Sequence, residues 1–118
     1  MTAPNVTMAV RSPSAKVAVI DIRGEVTSQA EDVLMDAYTQ ATSQGAQVII
    51  LNFEGLQYMN SSGIGLLVTV LIRTQRQKQK LVAIHLSDHY QQIFELTRLN
   101  EAISIYSSEA EAMAAMGK

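Results

Sequence analysis

Residues 48–65 read VIILNFEGLQYMNSSGIG, and this stretch contains the change from strand to helix around which the fold is organised. The run 48–53 is apolar at nearly every position, which is typical of a strand covered on both faces. Glu54 and Gly55 interrupt the run, and we expect the strand to end there. The segment 60–63, Asn-Ser-Ser-Gly, then opens an apolar pattern with helical spacing, so both serines fall at a helix N-terminus.

The flanking segments predict alternating strands and helices. Two β-prone runs, 6–10 and 17–22, precede the central stretch, and the proline-containing segment between them favours a hairpin turn. Apolar residues then recur with helical spacing from Ala30 to Ala41. After the serine pair we expect a helix to about Lys78, a strand at 81–86, a helix capped by Asp88 and reaching about Thr97, a strand at 103–106, and a helix at 108–116 capped by Ser108.

This order predicts an α/β fold. The sheet is expected to be mostly parallel, with only its first two strands antiparallel, and about four helices should pack against it. With 118 residues, of which 47% are hydrophobic, the chain should form a single domain over 1–118.

Charge and cysteine content narrow the function classes. The formal net charge is −2, which gives no general attraction for nucleic acid or for an anionic membrane surface. The chain has no cysteine, no secretory signal pattern and no apolar run long enough to cross a bilayer. We therefore expect a cytoplasmic protein that binds no nucleic acid and does not insert into a membrane.

The serine pair has two interpretations. A helix N-terminus carries unpaired N–H groups and the positive end of the helix dipole, so a serine there can cap the helix. The same position also accepts a phosphate group. From the local sequence alone, a helix cap followed by a packing glycine is the commoner arrangement.

Three segments resemble the STAS domain, in particular the bacterial anti-sigma factor antagonists. The segment 51–65 is similar to the family signature, 24–26 (Gly-Glu-Val) to the element after its second strand, and 93–99 to the end of its third helix. The resemblance implies a STAS-like mixed sheet. It also implies that Ser61 is phosphorylated, Ser62 being a weaker candidate, by a GHKL-type serine kinase that is also an anti-sigma factor. A PP2C-type phosphatase would reverse the modification.

The sequence departs from the family pattern at three positions. Asn60 and Thr27 stand where the family usually has aspartates, so the two carboxylates expected near the phosphorylation site are absent. Asparagine and threonine can still cap a helix, but they carry no charge. Arg98 stands where the family commonly has glycine, and if the backbone there is left-handed, arginine costs about 1 kcal/mol.

The second helix has apolar residues on more than one side. Ile64, Leu67, Val68 and Leu71 cluster on one face, whereas Leu66 and Val70 lie nearly opposite. We expect that second face to be partly exposed. It could contact a neighbouring element or continue the partner surface from Ser61.

The rest of the sequence gives little indication of metal binding or catalysis. His85, Asp88 and His89 are more simply explained as a strand end and a helix cap than as metal ligands, and no metal or cofactor is expected. No catalytic triad, paired carboxylates or phosphate-binding loop is present, so we do not expect an enzyme.

The sequence therefore predicts a regulatory protein-interaction module switched by phosphorylation at Ser61. The expected partner-binding residues are Thr27, Asn60, Ser61, Ser62, Gly63, Leu66 and Val70. The alternative is a STAS structural subunit of a stressosome-like scaffold or a membrane transport complex, in which the serine only caps its helix. An enzyme or small-ligand-binding domain is the third interpretation, and a homodimer is left open.

Overall fold

The computed structural model describes residues 5–116, so residues 1–4 and 117–118 of the predicted domain lie outside the described part. Nine elements follow one another in the expected alternation, and 3₁₀ turns occur at Ser28–Ala30 and Leu99–Glu101. The elements are β1 (Val6–Ser14), β2 (Val17–Val26), α1 (Glu31–Ser43), β3 (Val48–Met59), α2 (Ser61–Arg76), β4 (Lys80–Ile84), α3 (Asp88–Leu96), β5 (Ser104–Tyr106) and α4 (Glu109–Met116).

The five strands form one sheet in the order β1-β2-β3-β4-β5. β1 pairs with β2 in the antiparallel sense, and the remaining neighbours are parallel. The predicted α/β fold, with its mixed sheet and four helices, is confirmed. Because β2, β3 and β4 run in one direction, their carboxyl ends meet at one end of the sheet, where ligand and partner sites of such sheets usually lie.

Helices cover the two faces of the sheet unequally. Alternate strand residues, such as Ile20 and Leu51, point to the face covered by α1, α2 and α3. Their neighbours Val19 and Ile50 point to the opposite face, where α4 is the one helix among residues 5–116 that packs, through Ala112 with Met113 and Met116 beside it. The first face carries the larger apolar core, and the second is covered only in part. No helix among residues 5–116 is both long enough and apolar enough to span a membrane.

The prediction that β3 ends at Glu54–Gly55 is wrong. β3 continues to Met59, and β2 likewise continues past Gly24 to Val26. The two strands stay paired through register shifts near Arg23 and Gly24, with Arg23 opposite Gly55 and Val26 opposite Met59. The glycines mark irregularities in a continuing ladder rather than strand ends.

Two local predictions also need correction. The hairpin turn lies at residues 15–16 instead of 11–14, since Pro13 is accommodated in the edge strand β1. The N-cap of α3 is Ser87, whose hydroxyl accepts from Tyr90 N–H, so Asp88 is the first helical residue. Arg98 has φ 63°, so its backbone is left-handed and the cost considered for arginine at this position applies.

Candidate functional site

Asn60 and the serine pair lie where β3 ends and α2 begins. Asn60 has extended backbone angles and is the N-cap, and Ser61 and Ser62 are the first two helical residues. The side chains of both serines are exposed. The sequence therefore placed the helix start correctly, because an apolar strand and a capping residue type are both local signals.

The helix cap is made by Asn60 and not by a serine. Its Oδ1 atom accepts a hydrogen bond from Gly63 N–H at 3.0 Å, and its carbonyl oxygen accepts from Ile64 N–H at 3.0 Å. An asparagine cap of this kind is worth about 1 kcal/mol. Since Asn60 supplies the cap, capping does not account for the hydroxyl of Ser61.

Gly63 fixes how closely α2 approaches the sheet. A Cβ atom at this position would overlap the carbonyl oxygen of Val26 at the end of β2. That same oxygen accepts a hydrogen bond from Asn60 N–H at 3.3 Å. Only glycine allows this approach, so Gly63 positions the start of α2 against β2 and is itself buried.

Thr27 joins the site from the neighbouring strand. It follows β2 directly, and the pairing of Val26 with Met59 places it beside the segment that leads into α2. Its Oγ1 atom accepts from Gln29 N–H at 3.3 Å, which caps the 3₁₀ turn at Ser28–Ala30. Thr27 therefore caps this turn without the charge of the aspartate that the family pattern has here.

The electrostatics of the site favour an anion. The first turn of α2 contains no acidic residue, and neither Asn60 nor Thr27 is charged. The positive end of the α2 dipole is therefore not neutralised by a carboxylate from these positions. A phosphate group on Ser61 would lie close to that end.

The expectation that Leu66 and Val70 lie on a partly exposed face is wrong. Val70 is fully buried and Leu66 is 9% exposed, because both pack into the core between α2 and the sheet. The close contact at Gly63 sets the rotation of the helix about its axis. In addition, Thr74 is buried on the same side of the helix, where its hydroxyl donates to the carbonyl oxygen of Leu71. Because threonine is polar, the sequence pattern does not show that this side of the helix is buried.

The exposed apolar residues of α2 are Val68 and Ile72 instead. The pattern placed Val68 in one cluster with Leu67 and Leu71, and that placement is wrong, because Val68 lies at the edge of the cluster and its side chain is exposed. Val68 and Ile72 are 37% and 46% exposed, and they follow Ser61 and Gly65 at helical spacing on one side of the helix. We call Ser61, Gly65, Val68 and Ile72 the α2 stripe. It extends about 16 Å along the helix from the candidate phosphorylation site.

Sequence comparisons show which family the chain resembles. The pattern that defines the STAS domain matches residues 8–112. The chain belongs to the STAS domain family. An anti-sigma-B factor antagonist from Staphylococcus aureus is 27% identical to it over 86 residues, which span 73% of this chain and 80% of that protein.

Solved STAS structures share the fold. SpoIIAA of Bacillus in its phosphorylated form matches with a TM-score of 0.72 at 24% identity, covering 92% of this chain and 98% of that one. A sulfate transporter family protein from Wolinella succinogenes matches with a TM-score of 0.76 at 16% identity, covering 89% and 88% of the two chains. At these identities the likeness concerns the fold alone.

The opposite sheet face of this STAS domain carries a polar network that the sequence did not predict. Arg11 of β1 donates to both carboxylate oxygens of Asp21 on β2, and to Glu109 of α4 at 2.8 Å. Asn52 of β3 donates to Asp21 at 2.8 Å. The network borders an open cavity of about 440 Å³ that His85 also lines. The sequence did contain a signal for this network, because Asp21 and Asn52 each interrupt an apolar strand run.

The contact between Arg11 and Asp21 shifts the pKa of both side chains. The two hydrogen bonds from Arg11 lower the pKa of Asp21 below its ordinary value, although partial burial acts in the other direction. The same bonds raise the pKa of Arg11. Because the polar groups of the network satisfy one another, its evident role is to tie β1, β2, β3 and the start of α4 together.

The structure does not bring His85, Asp88 and His89 together as ligands. No group of three or more histidine, aspartate or glutamate side chains within residues 5–116 has the geometry to hold a metal ion. His85 follows β4 with φ 56° and lines the polar cavity, whereas His89 stacks edge to face on Tyr90.

Proposed function

We propose that this STAS domain is an anti-sigma factor antagonist whose binding to its partner ends when Ser61 is phosphorylated. The observation that carries the proposal is the exposed hydroxyl of Ser61 at the start of α2, next to a cap that Asn60 already supplies. The names of the Staphylococcus relatives support the class of partner, which is an anti-sigma factor. The family pattern further implies that this partner is a GHKL-type serine kinase and that a PP2C-type phosphatase resets the switch.

The α2 stripe extends the proposed contact surface beyond the serine. Val68 and Ile72 are large, exposed and apolar, and Gly65 between them and Ser61 has no neighbouring atoms above it. A partner can therefore approach the backbone of α2 closely at Gly65 while it covers both side chains. Interfaces of this kind combine an apolar centre with a polar edge.

The exposed serine explains how a phosphate could act on binding without unfolding the domain. Phosphorylation adds a charge of about −1.5 to −2, and covering that charge with a partner removes its water. The α2 N-terminus stabilises the anion in the free protein, and the Asn60 cap does not use the serine. Since the nearby positions 27 and 60 carry no carboxylate, no repulsion from them opposes the phosphate. The modification should therefore lower affinity and leave folding intact.

Variants at Ser61 test the proposal. We expect Ser61→Ala to bind a purified GHKL-type serine kinase of the same genome as the wild type does. Ser61→Asp should bind at least tenfold more weakly, which is about 1.4 kcal/mol. Ser43→Asp is the matched control, because Ser43 is exposed at the end of α1, before the start of β3. Isothermal titration calorimetry measures all four affinities, and equal affinities for Ser61→Asp and wild type would contradict the switch.

A second candidate function is a structural subunit of a larger assembly, such as a transport complex or a stressosome-like scaffold. Two observations favour it: the shared fold with a sulfate transporter family protein, and the loss, at positions 27 and 60, of the carboxylates that the family pattern places near a phosphorylated serine. In that case Ser61 should remain unmodified in the native cells, and the three proteins with Ser, Ala or Asp at position 61 should enter the assembly alike. Phosphopeptide mapping of protein isolated from those cells separates the two functions.

A further inference from the structure

β1 is an edge strand of the sheet. It is first in the sheet order, and its strand partner within residues 5–116 is β2. The nine residues Val6–Ser14 make it a long edge. Such an edge exposes a row of unpaired backbone donors and acceptors and is a template for pairing with another strand.

The hydrogen-bond pattern shows which residues of β1 face outward. Glu25 N–H donates to the carbonyl oxygen of Asn5, so the pair 5 and 25 is a hydrogen-bonded pair of the antiparallel ladder. Hydrogen-bonded and non-hydrogen-bonded pairs alternate along such a ladder. Thr7 and Ala9 therefore bond to β2, whereas the N–H and C=O groups of Val6, Met8 and Val10 point away from the sheet.

Residues that discourage pairing with another strand lie only in the second half of β1. Arg11, Pro13 and a register shift between Arg11 and Ser14 lie in the second half of the strand. Charged and bulged residues of this kind discourage pairing. The segment 6–10 has no charge and no proline, and its exposed side chains Thr7 and Ala9 are short. The first half of the edge is thus left open.

We infer that the segment 6–10 pairs with the same segment of a second copy, antiparallel and around a two-fold axis at Met8. The three outward-facing residues are spaced symmetrically about Met8, so each donor of one copy meets an acceptor of the other. About six backbone hydrogen bonds form in this register. The result is a continuous ten-stranded sheet. Arg11 lies outside the paired segment, and Asp21 and Glu109 hold its guanidinium group.

A second copy fits better than an unrelated strand because the open segment complements itself. Around this axis Thr7 of one copy lies opposite Ala9 of the other, which brings small side chains together on the exposed face. The Ser61 site lies at the end of β3, two strands away from the edge. The dimer would therefore leave both proposed partner sites accessible, and the inference does not depend on the proposed function.

Cysteine pairs test the register directly, since the chain has no cysteine of its own. Non-hydrogen-bonded antiparallel partners have Cα atoms about 4.5 Å apart, which suits a disulfide. We expect a mixture of Thr7→Cys and Ala9→Cys proteins to form a disulfide-linked dimer under mild oxidation, and each protein alone to form little. Cross-linking of either protein alone to the same extent as the mixture would overturn this register, and so would no cross-linking in any sample.

A charge exchange at the same two exposed positions provides an independent test. The double variant Thr7→Glu/Ala9→Glu places like charges opposite each other across the axis and should weaken the dimer by about tenfold. The variant Thr7→Glu/Ala9→Lys places opposite charges there and should dimerise at least as well as the wild type. Analytical ultracentrifugation measures the dissociation constants. A wild-type protein that is monomeric up to about 1 mM, or equal weakening by both variants, would overturn the inference.

Discussion

Gly63 and Gly65 lie two positions apart in α2 and have opposite surroundings. A Cβ at Gly63 would overlap the carbonyl oxygen of Val26, whereas a Cβ at Gly65 would meet no atom within 4 Å. Both residues have ordinary helical backbone angles, so conformational strain does not distinguish them. The difference between them is entirely one of packing.

We predict that alanine has opposite effects at these two glycines. Gly63→Ala should lower the free energy of unfolding by about 1–3 kcal/mol, because the helix must move away from β2. Gly65→Ala should raise it by about 0.5–1 kcal/mol, because alanine loses less backbone entropy in a helix. Urea unfolding midpoints measure both, and equal stability of the two variants would contradict the close contact at Val26.

The sequence predicted part of this site at the residue level. The strand at 48–53 and the start of α2 at Ser61 follow from an apolar run and an adjacent capping residue, which are local properties. The assignment of the cap to Asn60 required the structure, since Asn60, Ser61 and Ser62 are all residue types that cap helices. Only the geometry shows that the hydroxyl of Ser61 is not used for that purpose.

The rotation of α2 is a property of the element and could not be predicted from its pattern. Apolar residues cover more than half of its circumference, so the period alone does not say which side faces the sheet. The contact between Gly63 and Val26 joins residues far apart in sequence and decides the matter. Leu66 and Val70 are buried as a result, and Val68 and Ile72 are exposed.

A charge within the α2 stripe should interfere with partner binding. We predict that Val68→Asp lowers the affinity for the serine kinase at least tenfold while the domain stays folded, because the side chain is already in contact with solvent. Thr69→Asp is the matched control on the adjacent, half-exposed position. Binding is measured by calorimetry and folding by circular dichroism. Unchanged affinity for Val68→Asp would exclude the stripe from the interface.

The network around Asp21 connects four elements that are distant in sequence. Arg11 and Glu109 are separated by 98 positions, so no local pattern could have predicted their contact. Ion pairs as exposed as this one contribute little individually. The bidentate contact with Asp21 nevertheless affects how stability depends on pH.

Acidification should reduce the contribution of Asp21 to stability. Its pKa is lowered in the folded protein from an ordinary value of 3.8, so the stabilisation is present above that value and is lost as the pH falls through the lower folded pKa. We predict that the free energy of unfolding falls less for Asp21→Asn than for the wild type when the pH is lowered from 7 to below the folded pKa of Asp21. Urea unfolding at each pH measures both free energies. Asp36→Asn, at an exposed position of α1, is the control for replacing an aspartate by asparagine elsewhere on the surface.

In the whole molecule, the three surfaces described above lie on different sides of the sheet. The start of α2 and its exposed stripe belong to the face covered by three helices, the Asp21 network to the opposite face, and the open half of β1 to the edge. The mixed topology was predictable because strands and helices alternate at regular spacings. The extension of β2 and β3 beyond their glycines was not, because it depends on the pairing of one strand with the other.

We propose that a phosphate on Ser61 releases the partner while the domain remains folded. The most direct test compares unmodified wild-type protein with the same protein phosphorylated to completion, the site being confirmed by mass spectrometry. Calorimetric titration with the purified serine kinase should give an affinity at least tenfold lower for the phosphorylated form, with an unchanged circular dichroism spectrum. Equal affinities for the two forms, with the phosphate located on Ser61, would contradict the account.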